Sequence, residues 1–376
     1  AGLGNDFMLA VPLLNGTLSI DGGNPVFPGP PSDLLTISLI GTGIADEDIV
    51  DNVNGGLLDG TGSVTSSTHG AIDFTSIEAL NVYSGPDLVF DADDALAFGG
   101  DGTDTGGADP DAFRIVRNGA RAELSVDGFL FAIFPVDVVN SVTINGSTDN
   151  DVLEVDQSAG QLPFTIVYNG QESAGDNDGL RVIGGAGVDT GVYIPSTTTN
   201  GDGTITLAGQ TISFTGLEPV EVTEMASFTL QTSNSQDSIN IDAGRNLANT
   251  ADALVVSGTS GGIGFEELRV LGVVSLTVDL ESADGALSND TVTISNGALQ
   301  FDPGDSLAEL TILAGQGNDT FEIQDSEFQL PGGGTLTLDG GVATDTIRVT
   351  AQDDTAEEDV ALTLVTAGPD AMLTST

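Results

Sequence analysis

Residues 310–323, LTILAGQGNDTFEI, and residues 336–349, LTLDGGVATDTIRV, are two copies of one pattern. They superpose without a gap at an offset of 26 residues, since 336 − 310 = 26. Leu310 falls on Leu336, Ile312 on Leu338, Asp319 on Asp345, Phe321 on Ile347 and Ile323 on Val349. Each copy reads as a short alternating strand, a Gly-rich corner, one Asp, and a second alternating strand. Alternation places the apolar residues on one face and Thr, Glu and Arg on the other. A unit this small cannot bury its apolar face alone, so it has to stack on like units.

Working back from this pair, the same unit recurs. Val142 and Ile144 lead to Asp151, Leu153 and Val155; Phe228 and Leu230 lead to Asp237, Ile239 and Ile241. In both, the Asp comes seven residues after the second apolar position, as it does from Ile312 to Asp319. Leu180 and Val182 lead to Asp189 at the same spacing. Leu276 and Val278 lead to Asp290 with five extra residues at the corner. The unit ISFTGLEPVEV (212–222) echoes AIDFTSIEALNV (71–82), and Pro219 favours a strand–bend–strand corner over a helix. Asn118-Gly119, between the alternating arms of AFRIVRNGARAELSV, predicts a type I′ hairpin near 113–126.

These spacings predict an all-β protein, a parallel β-helix or β-solenoid with a local antiparallel hairpin. The span from 33 to 345 divides into 312/26 = 12 rungs. At about 4.8 Å per rung, such a body is about 60 Å long. The alternative is a row of tandem β-sandwich domains of about 90 residues each. Along the chain the sequence divides into an N-terminal repeat segment with a Pro/Gly loop (1–41), an irregular β region (42–141), the regular repeats (142–350) and an acidic C-terminal segment with a last strand (351–376).

Composition narrows the function classes. There are 57 acidic residues against seven basic ones, a formal net charge of −50. All seven are Arg: 114, 117, 121, 181, 245, 269 and 348. Such a field argues against nucleic acid and anionic membrane as partners and for bound cations or a salty medium. No run approaches the roughly 18 apolar residues of a membrane span. There is no Cys, and the first residue is Ala rather than Met, which fits a processed or excised segment. His69 is the only His, and it reads as a loop residue rather than a general base. With so many acids, carboxylate pairs are unavoidable and carry no catalytic signal, so the chain is expected not to be an enzyme.

The corners resemble the calcium-binding nonapeptides of repeats-in-toxin proteins, G-G-x-G-x-D-x-(apolar)-x. AGLGNDFML (1–9) and AGQGNDTFE (314–322) carry the second and fourth Gly, the Asp and the apolar residue. GGDGTDTGG (99–107) and GGAGVDTGV (184–192) carry the Gly and Asp but not the apolar residue, and GGVATDTIR (340–348) has Ala343 for the fourth Gly. In that family the nonapeptides run in tandem and complete each other's sites; here they are isolated. The resemblance implies Ca²⁺ as a cofactor, with Asp6, Asp101, Asp104, Asp151, Asp189, Asp319 and Asp345 as candidate ligands, since Ca²⁺ takes six to eight oxygens. Each Asp could instead bond the backbone of its own turn. NGDGTI (200–205) faintly resembles an EF-hand loop but lacks its first and last acidic ligands, and a plain turn is expected.

Arg114, Arg117 and Arg121 are expected to pair internally with nearby acids, the other reading being a docking patch for an acidic neighbour. Over about 110–350, the segments FRIVRNGARAELSVDG, SVTINGSTDNDVLEVD and AGQGNDTFEI together resemble the repeats of very large secreted or surface proteins of planctomycetes and related aquatic bacteria. That resemblance implies an extracellular or cell-surface location and structural or adhesive work. The expected partners are further copies or repeats of the same chain, assembling head to tail, with surface glycans and polysaccharide cleavage as the competing readings.

Overall fold

The computed structural model describes residues 7–10, 17–22, 34–38, 49–54, 60–66, 70–77, 79–83, 86–91, 111–147, 150–171, 177–185, 190–284, 288–295, 307–324 and 334–349. All the helical or strand structure in these residues is β-strand. The chain is all-β, with long sheets rich in parallel pairing. It divides into two compact units, Ala1–Asp178 and Gly179–Thr376. The division falls within the stretch of regular repeats.

In the first unit, strands Phe7–Ala10, Leu34–Ser38 and Ala79–Tyr83 form a parallel sheet in that order. Leu18–Asp21 pairs in parallel with Ile72–Ile77, which continues antiparallel through Gly60–Ser66 to Ile49–Asn54. Ala10, Leu35 and Ile37 of the first sheet bury in one cluster with Val64, Ile72 and Phe74 of the second. The later part of the unit repeats the two-sheet plan. Asp87–Asp91, Ser141–Asn145 and Thr165–Asn169 lie parallel and in register. Val152–Asp156 pairs in parallel with Ala112–Asn118, which opens an antiparallel meander through Arg121–Val126 and Phe129–Pro135. Phe90 packs on Phe131 and Phe134 across these sheets.

The hairpin stands where the sequence puts it, with Phe113 opposite Val126, but its turn is offset by one residue. Asn118 pairs with Arg121, so the loop is Gly119-Ala120 rather than Asn118-Gly119. Gly119 has φ 63°, whereas neither Asn118 nor Ala120 is among the positive-φ residues. A type I′ turn needs positive φ at both central positions, so this turn is not one.

The second unit has two sheets. One holds the strands that follow the corners: Gly179–Ile183, Val220–Thr223 and Ile263–Leu271 in parallel. It then folds antiparallel through Asp252–Ser260 to Asp237–Arg245. From there it runs parallel through Thr291–Ile294, Thr320–Ile323 and Thr346–Val349. The other sheet holds the strands that precede the corners. An antiparallel meander of Gln210–Thr215, Gly203–Leu207 and Thr190–Pro195 leads to parallel Ser227–Gln231, Ser275–Asp279, Glu309–Leu313 and Thr335–Asp339. The bend between Gln210–Thr215 and Val220–Thr223 contains Pro219, as the sequence suggests.

The 26-residue offset is realised strand by strand: Leu310 lies beside Leu336, Ile312 beside Leu338, and Phe321 beside Ile347. Alternation fixes the faces. In Glu309–Leu313 the apolar Leu310 and Ile312 are fully buried while Thr311 is half-exposed. A slip of one residue would turn the whole set outward, so this pattern pins the register.

Gly179–Ile183 departs from the sequence reading. Leu180 and Val182 are expected to precede the corner of Asp189, yet this strand sits in the sheet of strands that follow corners. Its own corner residue is therefore Asp178, directly ahead of it. Both arms of a repeat alternate alike, so spacing alone does not tell a first arm from a second.

Candidate functional site

The corners of successive repeats stack into a column of carboxylates. Asp290, Asp319 and Asp345 each stand immediately before a strand of the same sheet, and Asp237 opens one. The amide N–H of each Asp donates to Oδ1 of the Asp one repeat on. Asp237 N donates to Asp290 at 2.6 Å, Asp290 N to Asp319 at 2.8 Å and Asp319 N to Asp345 at 3.1 Å. The residue ahead of Asp319, and the one ahead of Asp345, is tied in the opposite direction. Asn318 N donates to Asn289 Oδ1 at 2.7 Å, and Thr344 N donates to Asn318 Oδ1 at 3.1 Å. The two columns lock neighbouring corners from both sides and satisfy amides that the strand ladders leave over.

The first unit builds the same device. Asp111 N donates to Asp151 Oδ1 at 2.8 Å, Asp151 N to Asp178 Oδ1 at 2.7 Å, and Asn177 N to Asn150 Oδ1 at 2.9 Å.

Glycine makes this stacking possible. Gly317 has φ 138°, and a Cβ there would lie 1.3 Å from the carbonyl oxygen of Ser288 in the neighbouring corner. One repeat on, the same place is held by Ala343 at φ 109°, an L-residue in a region that favours glycine.

The column is electrostatically loaded. Asp237, Asp290 and Asp319 are almost wholly buried. Asp237 Oδ1, Asp290 Oδ2, Asp319 Oδ2 and Asp284 Oδ1 are buried without a hydrogen-bond partner. Burial, then the nearby charges of Asp284, Asp237 and Asp319, push the Asp290 carboxyl up to about 7, against the opposing hydrogen bond from Asp237. Burial and Asp284 raise Asp237 to about 6, although the Thr232 hydroxyl donates to it. Burial, with Asp345 and Asp284, raises Asp319 to about 6. Asp345 is raised as well, by burial and by Asp339. Desolvation and like charges disfavour the ionised form in the same direction.

Of the seven Asp expected as ligands, Asp151, Asp319 and Asp345 lie in these columns. Asp6, Asp101, Asp104 and Asp189 lie outside the described residues, as does His69. Among the described residues no three acidic or His side chains come together as a group that could hold a metal ion. Asp151, Asp178, Asp290, Asp319 and Asp345 each accept from the amide of a neighbouring corner with one carboxylate oxygen. Asp111, Asp178, Asp237, Asp284 and Asp290 belong to the columns or press on them, and none is among those seven. The dipeptide Asn-Asp directly ahead of a strand, at 150–151, 177–178, 289–290 and 318–319, is the signal that finds Asp178 and Asp290 among them.

Of Arg114, Arg117 and Arg121, the structure pairs Arg114 with acids, as expected, and ties Arg117 to backbone carbonyls instead. Arg114 meets Glu154 at 2.7 Å and also bonds Asp156, while Arg117 donates to the carbonyls of Gly119 and Gln161. Arg181 pairs with the fully buried Glu221 at 2.9 Å. Residues 196–202 form the loop between Thr190–Pro195 and Gly203–Leu207, which agrees with a plain turn rather than an EF-hand.

No family model, curated protein or solved structure matches the chain.

Proposed function

We propose that this chain is a non-enzymatic structural segment of an extracellular fibre, on the cell surface or secreted. In this reading it is a β-solenoid of roughly 12 rungs that assembles head to tail with further copies or repeats of the same chain. The observation that supports it most directly is the in-register stacking of like repeats through paired corner columns. That arrangement specifies a neighbour for each repeat, and the neighbour it specifies is another repeat. Stacking of this kind extends in one direction and does not close.

A net charge of −50 opposes such assembly, so counter-ions have to screen it. Calcium enters this reading as a counter-ion that stabilises the stacked repeats. The test is light scattering and electron microscopy of purified protein across salt concentration, with calcium or with chelator. Fibres or end-to-end oligomers that lengthen with salt and shorten with chelator are expected. A monomer at all concentrations and ionic strengths would end the proposal.

A further inference from the structure

The last described repeat, 334–349, is less covered than the one behind it. Leu310 and Ile312 are fully buried and Phe321 nearly so, whereas their counterparts Leu336, Leu338 and Ile347 are only half-buried. Val342 is 63% exposed, and Val349 is 39% exposed where Ile323 is 7%. Among the described residues, Thr346–Val349 and Thr335–Asp339 are the end strands of their sheets. The corner column stops here too: no described residue accepts from the amide of Asp345. This edge therefore presents the apolar positions and the amide donor that the corners of Asp237, Asp290 and Asp319 use to hold the next repeat.

Strand Phe7–Ala10 is the complementary edge. Among the described residues it ends its sheet on the side away from Leu34–Ser38 and pairs only in parallel. It alternates in the same sense, with Ala10 buried and Met8 packed against the same cluster. In sequence, Asn5-Asp6 directly precedes it, as Asn318-Asp319 precedes Thr320–Ile323. Polarity matches as well. In the second unit each later parallel strand adds beyond Asp237–Arg245 on one side, and Phe7–Ala10 is the earliest strand of its sheet.

We propose that Thr346–Val349 of one chain pairs in parallel with Phe7–Ala10 of a second copy, continuing the sheet and the corner column from molecule to molecule. The register follows from the buried positions: Ile347 beside Met8 and Val349 beside Ala10, which sets Arg348 beside Leu9. The inference rests on the fibre reading above and names its contact.

The protein has no cysteine, so single cysteines report this contact cleanly. Chains carrying Leu9→Cys are mixed with chains carrying Arg348→Cys under mild oxidation in high salt. Paired strands lie about 4.8 Å apart, within disulfide reach, whereas a pair two residues out of register is about 8 Å apart and beyond it. A disulfide-linked dimer is expected, at a yield at least about tenfold above Leu9→Cys mixed with Thr346→Cys. Equal yields from both mixtures would overturn the register, and no dimer while scattering still shows assembly would overturn the contact but not the fibre. An intramolecular disulfide in Arg348→Cys/Thr374→Cys chains, without dimer, would give the edge to the chain's own tail and also overturn it.

A cysteine-free variant supplies the second arm. Thr346 N donates back to Asp319 O, so by alternation the amide of Val349 faces the open side. Val349→Pro removes that donor. It is expected to keep the circular-dichroism spectrum and lose assembly; assembly undiminished in this variant would count against the contact.

Discussion

Asp290→Asn should stabilise this protein at pH 8 and leave it almost unchanged at pH 5. Asp290 lies between Asp237 and Asp319 in the column, with Asp284 beside it, and its Oδ2 is buried without a partner. Carboxylates one repeat apart, about 4.8 Å, repel by roughly 3 kcal/mol at an effective dielectric near 20 when both are charged. Asn keeps an oxygen for the Asp237 amide and removes the charge. Partial protonation of the neighbours reduces the gain, so about 2–4 kcal/mol is expected at pH 8. At pH 5, below the value of about 7 for Asp290, the wild-type side chain is already neutral and the gain disappears.

Asp290→Ala separates charge from hydrogen bonding. It removes the charge too, but it orphans the Asp237 amide, which costs about 1–3 kcal/mol. Ala should therefore fall below Asn by that amount at both pH values. The assay is urea unfolding followed by circular dichroism in chelator at pH 5 and pH 8. Asn and Ala behaving alike, or Asn destabilising at pH 8, would refute the account of the column.

Three further outcomes are expected. In chelator, the wild-type urea midpoint should fall between pH 5 and pH 8: Asp237, Asp290 and Asp319 are raised to about 6, 7 and 6, so the folded chain holds protons that the unfolded chain releases, and the stability this brings is lost as pH climbs through those values. Ala343→Gly should raise the melting temperature by relieving φ 109°, a gain of about 1 kcal/mol, whereas Gly317→Ala should cost at least about 3 kcal/mol because its Cβ meets a carbonyl. Glu221→Ala, which strips Arg181 and the Leu247 amide of a buried partner, should cost about 3–5 kcal/mol, against at most about 1 kcal/mol for Arg245→Ala in the exposed pair with Asp252.

Much of the β plan was legible because its period is short. Alternation over Leu310–Ile312 and Phe321–Ile323, repeated 26 residues later, is enough to give strand faces, parallel neighbours and register. The hairpin over 113–126 was legible from local turn chemistry, though not which pair of residues forms its loop. The corner Asp residues stood out as a class, but their use did not. Spacing read Gly179–Ile183 as an arm that leads to a corner, whereas the structure sets it as an arm that follows Asp178, because the two arms of a repeat look the same until the sheets sort them.

The sequence by itself determined that these units alternate, turn on glycine and need like neighbours, since those properties depend on residues within a few positions of one another. Only the tertiary structure decided which amides the carboxylates accept from. Whether Asp319 accepts from its own turn or from the amide of Asp290 depends on which corner lies next to it, 29 residues away in the chain and 2.8 Å away in space. That proximity is set by sheet pairing, which buries the column and raises its proton affinity.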